Sequence, residues 1–466
     1  MNQIKKPIWI LLLAGVATFS SCKKEFLELN SPTSLVPSVA LGKEADLLVA
    51  LRGAYASLRN VDHMGRTVPM IGDILADNAY QSTLNTNRYT LFNNYTYNTL
   101  DGNVAGLWSA AYNTILRCNN VINTTITPNT ANVDQYKGEA YAIRALCYFN
   151  LVRYFGKPFA EDPNALGVPI VTTYNPDDKP TRAKVSDVYN LMIADLEKGY
   201  TLMTKYTNSS QFSKYAAKGL QAKVYLTKGD NANALTAALD VINNGGFTAI
   251  TAANHASYWS NSTVTTSKLE TLMEVSSDAT ANLAFDALSY LYSQAGNYGD
   301  FLVTDDLISK YATADVRLGL YPRVTRSGVQ VYSVNKYPVI SGDYSDTKVL
   351  RLSEMYLIAA EASVASNETN AKTYVNFITS RRNAVPIVSS GAALRNAIIE
   401  ERRKELAFEG DRYMDMLRLK TDVLRGANYP AAARSFPVSN FRRQLPLPQG
   451  ELDANSNIRS QQNPGY

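Results

Sequence analysis

Residues 396–420 read NAIIEERRKELAFEGDRYMDMLRLK. Ile398, Ile399, Leu406, Phe408, Met414 and Leu417 recur so that a helix-turn-helix buries them on one side. Glu400 and Lys404 stand at i,i+4 and Arg412 and Asp415 at i,i+3, spacings that pair opposite charges along a helix. Acid/base chemistry on a sugar needs two carboxylates facing each other across a cleft. These carboxylates sit within a single helical hairpin among arginines and lysines. The stretch therefore reads as a structural ion-pair network, not as catalytic machinery.

Working outward, two windows carry the pattern of antiparallel helical pairs. In 215–248, Ala222, Tyr225, Gly229-Asp230 and Ala234 fall where a tetratricopeptide repeat places its small packing residue, its aromatic, its inter-helix turn and its second small residue. In 352–385, Ala359, Ala362, Asn367 and Ala371 repeat the scheme. Alanines let two helices approach closely, and glycine ends the first helix in a left-handed turn. Further helices are expected over 41–59, 103–124 and 134–155. In the last of these Ala140, Ile143, Cys147, Leu151 and Tyr154 form one face, and Gly156 and Pro158 stop it. After an irregular excursion, 157–184, Ser186 is the expected N-cap of a helix buried through Tyr189, Ile193, Leu196, Tyr200 and Met203. The fold class is thus mainly α-helical: tetratricopeptide-like pairs with long irregular insertions and a few short strands.

Two stretches break this regularity. Residues 60–102 read as a polar loop dense in Asn, Tyr and Thr. Between the two repeat windows lie roughly a hundred residues with little helical periodicity, a length that in a compact fold signals function or disorder. Their aromatic content (Tyr258-Trp259, Tyr290, Tyr292, Tyr298, Tyr321, Tyr332) argues against disorder. Leu272 to Val275 and Val329 to Val339 suit short strands.

The N-terminus is built for export. Lys5 and Lys6 precede an apolar run, Ile8 to Ala17, too short to span a bilayer, and small residues lead through Phe19-Ser20-Ser21 into Cys22. That order is the pattern of a bacterial lipoprotein: residues 1–21 are the signal, Cys22 becomes the lipid-bearing first residue, and 22–38 form a tether broken by Asn30-Ser31-Pro32 and Pro37. Lys23-Lys24-Glu25-Phe26-Leu27-Glu28 resembles a surface-export signal.

Composition excludes several classes. A net charge of +5 over 466 residues, with no basic run, gives no reason to expect nucleic acid. Three cysteines and two histidines are a poor set for metal or thiol chemistry. Cys118 and Cys147 read as free buried thiols, His63 and His255 as ordinary polar residues, and no cofactor is implied. The anomaly is tyrosine, 30 residues of it, suited both to helix packing and to polar, ring-shaped ligands.

Together these pieces resemble the SusD/RagB family of outer-membrane nutrient-binding lipoproteins. The matching motifs are Glu400 through Tyr413, Leu445-Pro446-Leu447-Pro448 through Gln462-Asn463-Pro464-Gly465-Tyr466, Tyr136 to Gly156, Leu352 to Glu361, and the Cys22 tether through Phe26-Leu27-Glu28. The resemblance runs over the whole mature chain, with a helical region over 39–248 and a C-terminal region over 249–466 that carries the insertion. It implies a non-enzymatic lid on a TonB-dependent transporter barrel, lipid-anchored to the outer membrane and facing outward, that captures glycans or other nutrients. It brings no catalytic residues.

The ligand residues follow from chemistry. Segments 73–108 and 255–323 interrupt a rigid frame, where recognition groups gather. Trp259, Tyr80, Tyr89, Tyr290 and Tyr298 are the expected stacking rings, and Asp77, Asn85, Asn87, Arg88, Asp300 and Arg323 the expected hydrogen-bonding groups. Trp108, set in a helix with Ala111, Tyr112 and Ile115, suits the core. Two other classes are weighed against glycan binding: a scaffold that holds peptide or protein in a helical-repeat groove, and a surface glycoside hydrolase. A glycan array separates the first, a reducing-sugar assay the second.

Overall fold

A computed structural model describes residues 41–295 and 298–466. The signal, Cys22 and the tether lie outside the described residues. Helices of seven or more residues are α1 (Glu44–Leu58), α2 (Thr67–Ile74), α3 (Gly102–Asn123), α4 (Ala131–Phe155), α5 (Val185–Leu202), α6 (Lys214–Lys228), α7 (Asn231–Asn244), α8 (Leu352–Ser363), α9 (Glu368–Arg381), α10 (Gly391–Leu406) and α11 (Arg412–Arg418). None is long and apolar enough to cross a membrane.

From α3 to α9 each helix packs on the next, and α1 lies against α3 and α4. Local signals set the turns. Asp101, Thr130, Ser213, Asp230 and Asn367 cap the helices that follow them, each side chain accepting from a backbone N–H of the first turn. Gly229, at φ +84°, ends α6 in the left-handed conformation, and Ala222, Ala234, Ala359 and Ala371 are fully buried where helices meet. The expected N-cap at Ser186 is displaced: α5 starts at Val185 after Lys184, whose side chain makes no cap. The two repeat windows, far apart in sequence, are neighbours in space, because α7 packs directly on α8. The insertion between them loops out of a continuous stack. One hydrophobic cluster runs from Leu47 to Ile458 and draws on both sides of the division at 248/249. Trp108, Cys118 and Cys147 are buried in it, the cysteines as free thiols.

The 60–102 stretch is not a plain loop. It holds α2, buried along its whole length, the strand β1 (Ala79–Gln81) and a four-residue turn of helix at Thr90–Asn93. Pro69 sits in the first turn of α2, where its missing N–H costs nothing. The insertion supplies β2 (Thr271–Val275), β3 (Phe301–Val303), β4 (Arg323–Arg326) and β5 (Val329–Ser333), and β6 (Thr347–Arg351) leads into α8. An antiparallel sheet of order β1-β3-β5-β4 joins the two irregular stretches, with Tyr80 opposite Leu302 and Arg323 opposite Tyr332. β2 pairs with β6.

Candidate functional site

Glu401, Glu405, Glu409 and Asp411 of the 396–420 stretch meet cations from distant segments, while Glu400 lies 3.9 Å from Arg403 of its own helix. Glu405, buried, accepts from Arg382 at 2.9 and 3.0 Å, from Arg351 at 2.9 Å and from Arg317 at 3.1 Å. Burial alone would raise its pKa, but the three guanidinium groups hold it well below the usual carboxylate range. Glu409 meets Arg351 and Lys336, both at 2.6 Å. The expected pairs within the hairpin are replaced: Lys404 reaches Glu401 at 2.5 Å, and Arg412 turns outward to Asp77 at 2.8 Å while Asp415 takes Arg402 and Arg418. With guanidinium groups on the carboxylates and no facing pair across a cleft, the stretch is structural.

Four expected ligand groups are held inside the fold. Asp77 is a buried latch for Arg412 and Arg403, not a ligand group. Trp259 is 4% exposed and plugs the insertion onto the scaffold, with Lys336 Nζ 4.3 Å and the Arg351 guanidinium 5.1 Å from its ring centre. Tyr89 is buried at φ +57°, its hydroxyl bound to Arg66 at 2.9 Å and Thr67 at 2.7 Å. Asp300, fully buried, accepts from the backbone and hydroxyl of Thr86 and so shapes the 82–89 loop. Each such group has its hydrogen-bonding capacity spent internally, or its ring covered by the scaffold. Tyr80 and Arg323 lie apart on the sheet, Tyr80 edge-on to Tyr429 and Arg323 over Tyr332. The Asn85 side chain faces inward to Gln81, Ser82 and the Asn87 N–H.

The remaining residues converge. Tyr290 and Tyr298 meet edge-to-face at 5.8 Å, Phe285 packs on Tyr290 at 5.2 Å and Tyr344 lies 6.4 Å from it. Phe285 is 58% exposed and the three tyrosines are partly exposed, so the rings form an open apolar shelf. The Arg88 guanidinium lies 4.5 Å over Tyr298 and 3.2 Å from Asp286, whose carboxylate is fixed from below by Arg66 at 2.8 Å. Asn87 is exposed beside Arg88 on the same loop. Backbone at Asn87, Ala284 and Tyr344 holds positive φ (63°, 48° and 55°), strain that side-chain residues tolerate where a surface must keep one shape. Arg326 ties the shelf together from behind. It donates to Ser82 at 2.9 Å, to Gln294 at 2.7 Å, to the Tyr298 carbonyl at 2.6 Å and to the Leu84 carbonyl.

The reasoning from sequence missed Phe285, Asp286, Tyr344 and Arg326. Phe285 and Asp286 lay within the chosen segment, a few residues before Tyr290. Arg326 falls just beyond that segment and Tyr344 well beyond it, after the turn signal Gly342-Asp343.

Chemically, the shelf offers apolar rings ringed by amide, carboxylate and guanidinium groups, on a helical-pair scaffold without catalytic geometry. That combination defines a binding protein built on stacked helical pairs. The chain belongs to the SusD family, whose members are non-catalytic binding proteins. Residues 25–226 match the model described as "Starch-binding associating with outer membrane", and residues 321–466 match that of the SusD family. SusD-like protein P2 of Formosa agariphila is 29% identical, with the whole of both chains covered. Among solved structures, a Bacteroides vulgatus protein provisionally described as sugar binding is 30% identical, with a TM-score of 0.82 over 92% of this chain and 99% of that one. A SusD superfamily protein of Bacteroides thetaiotaomicron is 28% identical, with a TM-score of 0.83 over 91% and 100%.

Proposed function

We propose that this protein is a surface lipoprotein that captures glycan on the shelf of Phe285, Tyr290, Tyr298 and Tyr344 and passes it to a TonB-dependent outer-membrane transporter. The observation that carries the reading is the shelf itself. Four exposed or partly exposed aromatic rings sit together beside Arg88, Asp286 and Asn87. A pyranose lays its C–H face on such a ring, and its in-plane hydroxyls meet charged and amide groups. The family's outer-membrane association and the sugar binding ascribed to a relative point the same way. Cys22 supplies the lipid anchor, and a TonB-dependent barrel, the partner that the family resemblance implies, carries the captured ligand across the membrane.

Calorimetry against a panel of neutral oligosaccharides tests the capture step. A double Tyr290→Ala/Tyr298→Ala variant should lose about 2 kcal/mol or more of binding free energy, the range of an interface hot spot, while its melting temperature holds. Unchanged affinity would place the site elsewhere. For the membrane steps, Cys22→Ala should release the protein from the outer membrane, and mild-detergent purification of the lipidated form should bring down a large β-barrel. Recovery of the protein alone under several mild detergents would refute the transporter partnership.

A further inference from the structure

Away from the shelf, a pocket of about 220 Å³ opens where the 157–184 excursion meets the C-terminal segment. Lys157, Glu161, Phe441, Arg443, Gln444 and Pro464 form part of its wall. Arg443 is 4% exposed. Its guanidinium has one internal acceptor, the Met416 carbonyl, 3.3 Å from Nη2. Among the described residues Nε and Nη1 have no hydrogen-bond partner, and neither has the side-chain amide nitrogen of the adjoining Gln444.

The other buried arginines show how unusual this is. Arg144, Arg317, Arg351, Arg382, Arg402 and Arg403 each meet a carboxylate. Arg66 does so too, at Asp286. Arg182 and Arg425 have no ion pair, but each is ringed by at least four oxygen acceptors. Among the described buried arginines Arg443 alone has neither solution. A buried cation without an anion is costly, and the cost is relieved when one arrives.

We propose that this pocket binds the carboxylate of a small acidic sugar, with Arg443 as the buried counter-charge and Lys157 as a second cation at the mouth. The volume is below the ~300–1,000 Å³ of clefts that hold drug-sized ligands, so it takes one saccharide unit and not a chain. Phe441, 39% exposed, offers its ring to the sugar face. Glu161 on the rim leaves a local balance of one positive charge against the two cations, which a single carboxylate neutralises. Such a site would bind acidic monosaccharide separately from the glycan captured on the shelf.

The probe is sodium glucuronate, titrated calorimetrically into the full soluble chain at constant ionic strength, with glucose as the uncharged control. Saturable binding of glucuronate and none of glucose is expected. Arg443→Met should abolish it, and Lys157→Ala should weaken it by about tenfold. Lys157 is exposed, so its replacement leaves folding intact even if Arg443→Met does not fold. Tyr290→Ala/Tyr298→Ala should leave glucuronate affinity unchanged, which separates this pocket from the shelf. No heat with glucuronate, equal binding of glucose, or affinity insensitive to Lys157→Ala would overturn the proposal.

Discussion

Glu405 holds three guanidinium groups from three different segments, at residues 317, 351 and 382. Each arginine depends on it for part of its compensation. Removing one member of a buried ion cluster leaves the others charged and unpaired, which costs more than the pair contributes over an apolar substitute. Glu405→Gln should therefore destabilise the fold by ~3–5 kcal/mol, visible as a large drop in the denaturant midpoint, without any change in an enzymatic rate. A variant as stable as the parent would mean that the arginines find other acceptors. Residue by residue, the sequence disclosed that these charges are structural, but not where their partners lie. Helical spacing sees only i,i+3 and i,i+4 neighbours, whereas Arg412 pairs with Asp77, 335 residues away. Trp259 illustrates the same limit. A large aromatic serves equally as a platform or a plug, and only its neighbours, Lys336, Arg351 and Tyr337, distinguish the two.

At the scale of elements, the helical pairs were legible because their signals are local: an alanine spacing, a left-handed glycine at Gly229, an asparagine at the second inter-helix turn, Asn367. The four-stranded sheet was not. β1 and β3 have three residues each and pair across more than two hundred positions, so no periodicity announces them. Yet that sheet brings the 82–89 loop beside Tyr298. Arg326, on β4, completes the join by bonding both segments at once. Arg326 is partly exposed and far from the ion clusters, so Arg326→Ala should cost little global stability. Hydrogen exchange over 82–89 should rise, and glycan affinity should fall, as the rings lose their common support. If exchange rises while affinity holds, the loop is not part of the site.

Across the whole molecule, buried ionisable groups set the response to acid, and their signs oppose one another. His63 and His255 are held neutral by burial, with pKa lowered to about 4 and about 3. As pH falls below ~6.5 the unfolded chain takes up protons that the folded chain refuses, so these two groups lower stability. Asp73, Glu139 and Asp346 act the other way. Burial raises them to about 6, about 7 and about 7, so between pH 7 and ~4 the folded chain binds the proton first and gains stability. Three groups raised against two lowered leave a net gain over that range, and Asp62, Asp195 and Glu451, also raised by burial, add to it. Below it the balance fails. Glu405, Glu409, Asp77 and Asp415 are buried, but their cationic partners keep them below the ordinary carboxylate range, Asp415 at about 2. Their contribution is complete above the unfolded pKa of ~4 and disappears as pH drops through the folded values. Melting temperature should thus hold or rise slightly from pH 7 to about 4.5 and fall steeply below pH 4. Glu139→Gln gives a sharper test. Its carboxylate accepts from Tyr55 and Gln135 and has no cation, so its replacement removes one of the stabilising protonations and should tilt the plateau downward between pH 7 and 5. A Glu139→Gln profile parallel to that of the parent would show that this carboxyl titrates in the folded chain as it does in the unfolded one.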